Sequence, residues 1–281
     1  MEIILWGTRG SIPAPGDQTL EFGGNTTCLE ILPEAGGRIV IDAGTGLRLL
    51  GDQLMKAGKP ISFHLLLTHN HWDHLLGLPF FAPIYHDSTE IIVDGWPHAF
   101  QAMAKVFDNH MGNGFFPVAF DQLKAQISFL NRVARKPLSL HGINIDTITL
   151  NHPQGGVGYR LREGENSLVF ITDNELGIGS ENRFQDFVQF CQGCNLLIHD
   201  AQYLPEEMEH HLGWGHSTYE EVVNLAVAAK VQKLVLTHHD PGRTDAEVHQ
   251  ILERARQQAA SQGAPDLPID AAREGSSYHL P

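Results

Sequence analysis

Short apolar runs recur along the whole chain, and between several of them lie stretches whose apolar positions follow helical spacing. The runs "EIILW" from Glu2, "CLEIL" from Cys28, "RIVID" from Arg38, "ISFHLLLT" from Ile61 and "EIIVDG" from Glu90 predict β-strands. So do "INIDTITL" from Ile143, "VGYRL" from Val157, "SLVFITD" from Ser167, "NLLIHD" from Asn195 and "KLVLTH" from Lys233, and many of these runs end on His or Asp. Helices are predicted at "GTGLRLLGDQLMKAG" from Gly44, "HAFQAMAKVFDNHM" from His98, "ENRFQDFVQF" from Glu181, "STYEEVVNLAVAA" from Ser217 and "TDAEVHQILERARQQAA" from Thr244. The last two open with the S/T-x-x-E spacing of a capping box, Ser217 with Glu220 and Thr244 with Glu247. Alternating strands and helices imply an α/β layered fold. No linker, repeat or shift in composition divides the chain, so residues 1–281 are expected to form one domain carrying an insertion at about 80–117.

Composition narrows the partners. The 281 residues are 42% hydrophobic, enough for a sizeable core. The formal net charge is −14, from 33 acidic and 19 basic side chains. Proteins that track a nucleic-acid backbone neutralise it with Lys and Arg, so long RNA or DNA is not expected as a partner. The opening "MEIILWGTRGSIPAPG" fits neither a signal peptide nor a membrane span, which predicts a cytoplasmic protein without membrane association. Cys28, Cys191 and Cys194 include one C-x-x-C, "CQGC", but no second pair, and are expected to be structural. Histidine is the outlier, at 17 residues, and neutral imidazole is a common metal ligand.

The histidines concentrate in "THNHWDH", residues 68–74, directly after a strand run. In extended backbone His69 and His71 point the same way, and Asp73 and His74 follow where the chain turns. Three more strand ends deliver His152, Asp173 and His238. Each alone would read as a capped surface residue. Together with the cluster they make seven donors, enough for two metal ions.

The motif "THNHWDH", an earlier "IDAG" at Ile41–Gly44, and then His152, Asp173 and His238 in that order resemble the metallo-β-lactamase superfamily. The resemblance implies a four-layer αββα sandwich. It assigns His69, His71 and His152 to one metal, Asp73, His74 and His238 to the other, Asp173 to both, and Asp42 to a supporting position behind the ligands. Two finer elements, "GHST" with His216 and "IHDA" with Asp200, are similar to the phosphodiesterase branch, where ribonuclease Z carries a His-Ser-Thr loop and a His-Glu-Ala-Thr stretch. Asp200 stands where that branch has Glu. By this resemblance Asp73, His216 and Asp200 are the candidate catalytic residues, with His216 protonating the leaving oxygen and Asp200 holding its tautomer. Two divalent ions, zinc first and manganese or iron as alternatives, would share a bridging hydroxide.

Ribonuclease Z recognises tRNA with a long arm between its third and fourth ligand motifs, whereas His152 and Asp173 are only 21 residues apart. With the acidic charge, this favours a small phosphodiester. The opening "GTRGSIPAPG" and "FGGNTTC" are similar to bacterial members acting on small or cyclic phosphodiesters, so a cyclic nucleotide or related diester is the expected substrate. A ribonuclease Z-type tRNA 3′ endonuclease and a thioester or lactone hydrolase remain alternatives. In the insertion, His110, Phe115 and Phe116 are candidate substrate contacts, with core packing or a dimer contact as the competing reading. Whether the chain forms a homodimer is left open.

Overall fold

The computed structural model describes residues 1–95, 111–112, 114, 116–130, 132–133, 138–177 and 182–281. Two mixed sheets of seven strands each form its centre. The first contains β1 (Glu2–Gly7), β2 (Cys28–Leu32), β3 (Ile39–Ile41), β4 (Ile61–Leu67), β5 (Thr89–Gly95), β6 (Gln126–Phe129) and, at its edge beside β1, β14 (Ser277–His279). The second runs from β7 (Leu138–Leu140) through β8 (Ile143–Thr149), β9 (Val157–Glu163), β10 (Asn166–Ile171), β11 (Leu196–Asp200) and β12 (Leu234–Thr237) to β13 (Ile269–Ala271). All ten strand runs read from the hydrophobic pattern form strands. The other four, β6, β7, β13 and β14, are three or four residues long and too short to show a period.

Side-chain alternation builds the layers. Along β10, Leu168 and Phe170 enter a core between the two sheets, while Val169 and Ile171 face helices. Those helices are α2 (Phe184–Cys191) and, after the one-turn α3 (Met208–His211), α4 (Tyr219–Ala228) and α5 (Asp245–Ser261), and α2, α4 and α5 supply Phe187, Val222, Val223, Val248 and Leu252 to the outer core. On the far side, Phe63, Leu65 and Leu67 of β4 pack against Leu47, Leu50 and Leu54 of α1 (Gly46–Ala57). The order is helix, sheet, sheet, helix, as the four-layer expectation requires. Each large apolar side chain removed from water in these cores contributes about 1.5–3 kcal/mol.

The cap of α5 is the expected one: Thr244 Oγ1 accepts from Glu247 N at 3.3 Å, and the Glu247 carboxylate accepts from Thr244 N at 2.8 Å. The cap of α4 is displaced by one residue, to Thr218 with Glu221. Ser217 is unavailable as a cap because its hydroxyl donates to Asn174 O at 2.6 Å and accepts from Leu176 N at 3.1 Å, which fastens the preceding loop to the end of β10. The three cysteines are free and buried. Most of the helix expected from His98, together with His110 and Phe115, lies outside the described residues. No described helix is long and apolar enough to cross a membrane.

Strand direction positions the site. Strands β3 to β6 run parallel, as do β10 to β13, and β8 shares the direction of β10 because both pair antiparallel with β9. The C-terminal ends of β3, β4, β8, β10, β11 and β12 therefore deliver Asp42, His69, His152, Asp173, Asp200 and His238 to one edge of the sandwich.

Candidate metal centre

All seven residues expected as donors converge at that edge, in two groups. His69, His71, His152 and Asp173 offer one set of nitrogen and oxygen atoms, and Asp73, His74, Asp173 and His238 offer the other. Asp173 divides its carboxylate between them. Its Oδ2 lies 3.6 Å from His69 Nε2 and 3.8 Å from His152 Nε2, whereas its Oδ1 lies 3.2 Å from both His74 Nε2 and His238 Nε2. Asp73 Oδ2 completes the second group at 3.2 Å from His74 Nε2 and 3.3 Å from His238 Nε2. In the first group His71 Nδ1 is 3.0 Å from His152 Nε2.

These separations fit divalent cations. Donors at about 2.0–2.1 Å around a tetrahedral ion stand about 3.3 Å from one another. His69 Nε2 and His74 Nε2 are buried and have no hydrogen-bond partner, although carboxylate oxygens lie close by. Polar atoms buried in this way are costly unless another group satisfies them.

Four of the five imidazoles are held with Nε2 inward, while His71 faces the group through Nδ1. Asp42, fully buried, accepts from His74 Nδ1 at 2.8 Å and from both the backbone N–H and the hydroxyl of Thr68 at 2.8 Å. The Thr68 oxygen in turn accepts from His69 Nδ1 at 3.0 Å. Gly215 O accepts from His152 Nδ1 at 3.0 Å, and Gln202 Oε1 from His238 Nδ1 at 2.9 Å. In each case the proton is fixed on Nδ1, which leaves the Nε2 lone pair for a ligand. Ser11 N donates to Asp73 Oδ2 at 2.9 Å. Ser11, Asp42, Asp173 and His238 all hold positive φ, at 60°, 64°, 51° and 60°. Backbone strain of this kind collects where a side chain must be aimed.

Charge follows the same arrangement. Burial lowers the His152 pKa to about 4, the neutral form that binds metals. Burial alone would raise the Asp173 carboxyl, but His238, His74 and His69 pull it well below the ordinary range. Against this centre lies a third pair, in which His216 Nδ1 is 2.9 Å from Asp200 Oδ2. The His216 ring stacks on His238, with centroids 5.1 Å apart, and meets His152 edge-on at 5.3 Å. Burial lowers its pKa, and Asp200, Asp173 and Asp73 outweigh this to bring it to about 9. Asp200 is itself fixed by the N–H groups of Gln202 and Asn174.

Phe116 packs against the outer core beside α1 and meets Phe80 edge-on at 5.5 Å. The sequence reading passed over Ser11, Thr68, Gln202 and Glu175. Thr68 and Gln202 carried a faint signal, since each sits one or two positions from a residue already singled out. Glu175 accepts from Gly213 N and Gly215 N and so shapes the loop that leads to His216.

Comparison with known proteins agrees with the geometry. A family model described as a β-lactamase superfamily domain matches residues 37–239. A ribonuclease Z from Bradyrhizobium sp. (strain ORS 278) is 24% identical over 294 residues, covering 88% of this chain and 92% of that protein. Human tRNase Z, short form, superposes with a TM-score of 0.61 at 19% identity, each chain covered completely. A diphosphatase of the PhnP family superposes with a TM-score of 0.66 at 17% identity, covering 100% of this chain and 98% of that one. At such identities the two structures speak for the fold alone. The family match spans every strand end from β3 to β12 that carries a donor, and the chain belongs to the metallo-β-lactamase superfamily, as a metal-dependent hydrolase.

Proposed function

We propose that the chain is a dinuclear metal-dependent phosphodiesterase acting on a small diester, a cyclic nucleotide or a related compound. The observation that carries this reading is the Asp200–His216 pair, which stands against a centre whose two donor sets share Asp173. His69, His71 and His152 would hold one ion, Asp73, His74 and His238 the other, and Asp173 both. Zinc suits these donors, as do manganese and iron. When bound, the ions supply Lewis acidity toward the phosphoryl oxygens and lower the pKa of water.

The chain's own residues do the rest. His216 presents Nε2 to the leaving oxygen and donates its proton there, while Asp200 holds Nδ1–H and stabilises the charged ring. Asp42, Gln202 and Gly215 O keep the ligand histidines in one tautomer and Ser11 N orients Asp73, so little reorganisation remains for the reaction itself.

A small substrate is supported by the interval between His152 and Asp173. It is filled by β9 and β10, a hairpin that turns at Gly164 and Glu165, with no room for a protruding arm. A second reading, tRNA 3′ processing, is favoured by the relatives named ribonuclease Z, which align over most of both chains.

The test is hydrolysis of 3′,5′- and 2′,3′-cyclic mononucleotides, beside a tRNA precursor with a 3′ trailer, by metal-loaded protein. Turnover of a cyclic nucleotide that falls about 10²- to 10⁴-fold in His216→Ala, with metal content unchanged, is expected. Cleavage of the precursor alone would favour the second reading. Full activity of His216→Ala on a thioester or lactone would overturn both.

A further inference from the structure

Beside the metal centre, Leu212 and Trp214 are 65% and 57% exposed on a loop. The loop is not slack. The buried Glu175 carboxylate accepts from Gly213 N at 3.0 Å and from Gly215 N at 2.9 Å, one residue to either side of Trp214. Gly215 O receives the Nδ1 proton of His152, so the backbone that carries the tryptophan also orients a proposed ligand.

Behind Trp214 an aromatic wall leads inward. His211 meets the indole edge-on, with centroids 4.9 Å apart, Tyr203 stacks on His211 at 4.1 Å, and Tyr203 meets His216 edge-on at 5.7 Å. Glu207 braces the wall, because its carbonyl accepts from His211 Nδ1 at 2.7 Å and its carboxylate pairs with Arg243 at 2.7 Å. The wall is continuous from the proton donor to solvent and ends on an exposed π-face.

We propose that Trp214 is a specificity-determining residue, on which the aromatic organic group of the substrate, a nucleobase, stacks while its phosphodiester lies at the metal centre. The inference rests on the phosphodiesterase reading and adds to it the class of organic group. Stacking suits this surface because every base offers a π-face, and a tethered indole loses little freedom on binding. Stacking on Trp214 reads a π-face and not a base edge, so it discriminates flat from non-flat groups more than one base from another.

Two diesters with the same leaving group test this: thymidine 5′-(4-nitrophenyl) phosphate and methyl 4-nitrophenyl phosphate, with metal-loaded protein. Trp214→Ala is expected to lower kcat/KM on the thymidine ester by about tenfold, chiefly through KM, and to leave the methyl ester within about twofold. Trp214→Phe should restore most of the loss. An equal loss on both esters, or none on either, would overturn the proposal. So would a wild-type dimer that becomes monomeric in Trp214→Ala by sedimentation, since the patch would then be an interface between copies. If the wild-type protein hydrolyses neither ester, the phosphodiesterase reading fails, and equilibrium dialysis with thymidine 5′-monophosphate decides the stacking alone. Binding that weakens about tenfold in Trp214→Ala sustains it. Equal binding by the two proteins, or none by either, overturns it.

Discussion

The donor set around His69, His71 and His152 and the set around Asp73, His74 and His238 share Asp173, yet they are built on different plans. The first has three imidazoles and one carboxylate oxygen, at separations from 3.0 Å to 3.8 Å, with His71 only half-buried. The second has two imidazoles and two carboxylates, at 3.2 Å and 3.3 Å throughout, all buried. Its three unshared members are all fixed from behind, His74 by Asp42, His238 by Gln202 and Asp73 by Ser11 N, whereas in the first set His69 and His152 are so held and His71 is half-buried. More negative charge and less freedom should make the second set the tighter one, while the first is more open to exchange and to substrate. The difference teaches that two sites joined by one carboxylate can divide the work, one retaining its ion and the other adapting.

The largest effect should come from breaking what the two sets have in common. In Asp173→Asn the left-handed backbone at φ 51° is tolerated, because Asn adopts it readily. The side chain, however, can turn an oxygen toward only one set and presents an amide N–H₂ to the other. Activity is expected to fall about a thousandfold or more, as loss of several kcal/mol of charge stabilisation implies. Metal analysis should find fewer than two ions per chain. A variant that keeps both ions and its activity would end the idea of a shared ligand.

A smaller and selective effect is expected at Asp42. Its Oδ1 accepts from Thr68 N, while its Oδ2 accepts from both the Thr68 hydroxyl and His74 Nδ1. In Asp42→Asn the amide oxygen keeps the first bond, and the N–H₂ then faces two donors. His74 can relieve this only by moving its proton to Nε2, which removes the lone pair the second set needs. Affinity for one ion should drop about 10- to 100-fold while the other is retained, measurable as a split in a chelator titration. Loss of both ions in step would mean that the two sets do not act separately.

Most of the centre was legible in the sequence because each donor follows an apolar run, and parallel strands in register bring their ends together whatever happens elsewhere. The seven donors, Asp42 and Asp200 carry that signal, whereas His216 follows no apolar run and is indicated only by the likeness of "GHST" to the phosphodiesterase branch. The layers were legible for the same reason, through alternation such as that along β10. Contacts made across the chain were not. Gln202 reaches His238 and Ser11 reaches Asp73 over long sequence separations, and beyond the nearness of Gln202 to Asp200 nothing local marks a glutamine or a serine for such a task. Ser217 misled for a related reason: it has the right spacing for a cap, but the strand end at Asn174 claims its hydroxyl first.

The smallest effect sharpens the comparison within the second set. His238 and His74 occupy equivalent positions, but one is held by a neutral amide and the other by a carboxylate. Bonds to an ionised acceptor are roughly twice as strong as neutral ones, so Gln202 should contribute less than Asp42. In Gln202→Ala, His238 Nδ1–H loses its acceptor, while His238 remains in place through its backbone at φ 60° and its stacking on His216. Affinity for the second ion should fall by about tenfold, the lower end of the range for such supporting residues. Gln202→Glu preserves the acceptor and adds charge, so it should bind that ion at least as tightly as the wild-type chain. If Gln202→Glu is as weak as Gln202→Ala, the amide serves another contact, the one its nitrogen makes with Ser11 Oγ and Asp240 at 3.4 Å, and the second set is held by its carboxylates alone.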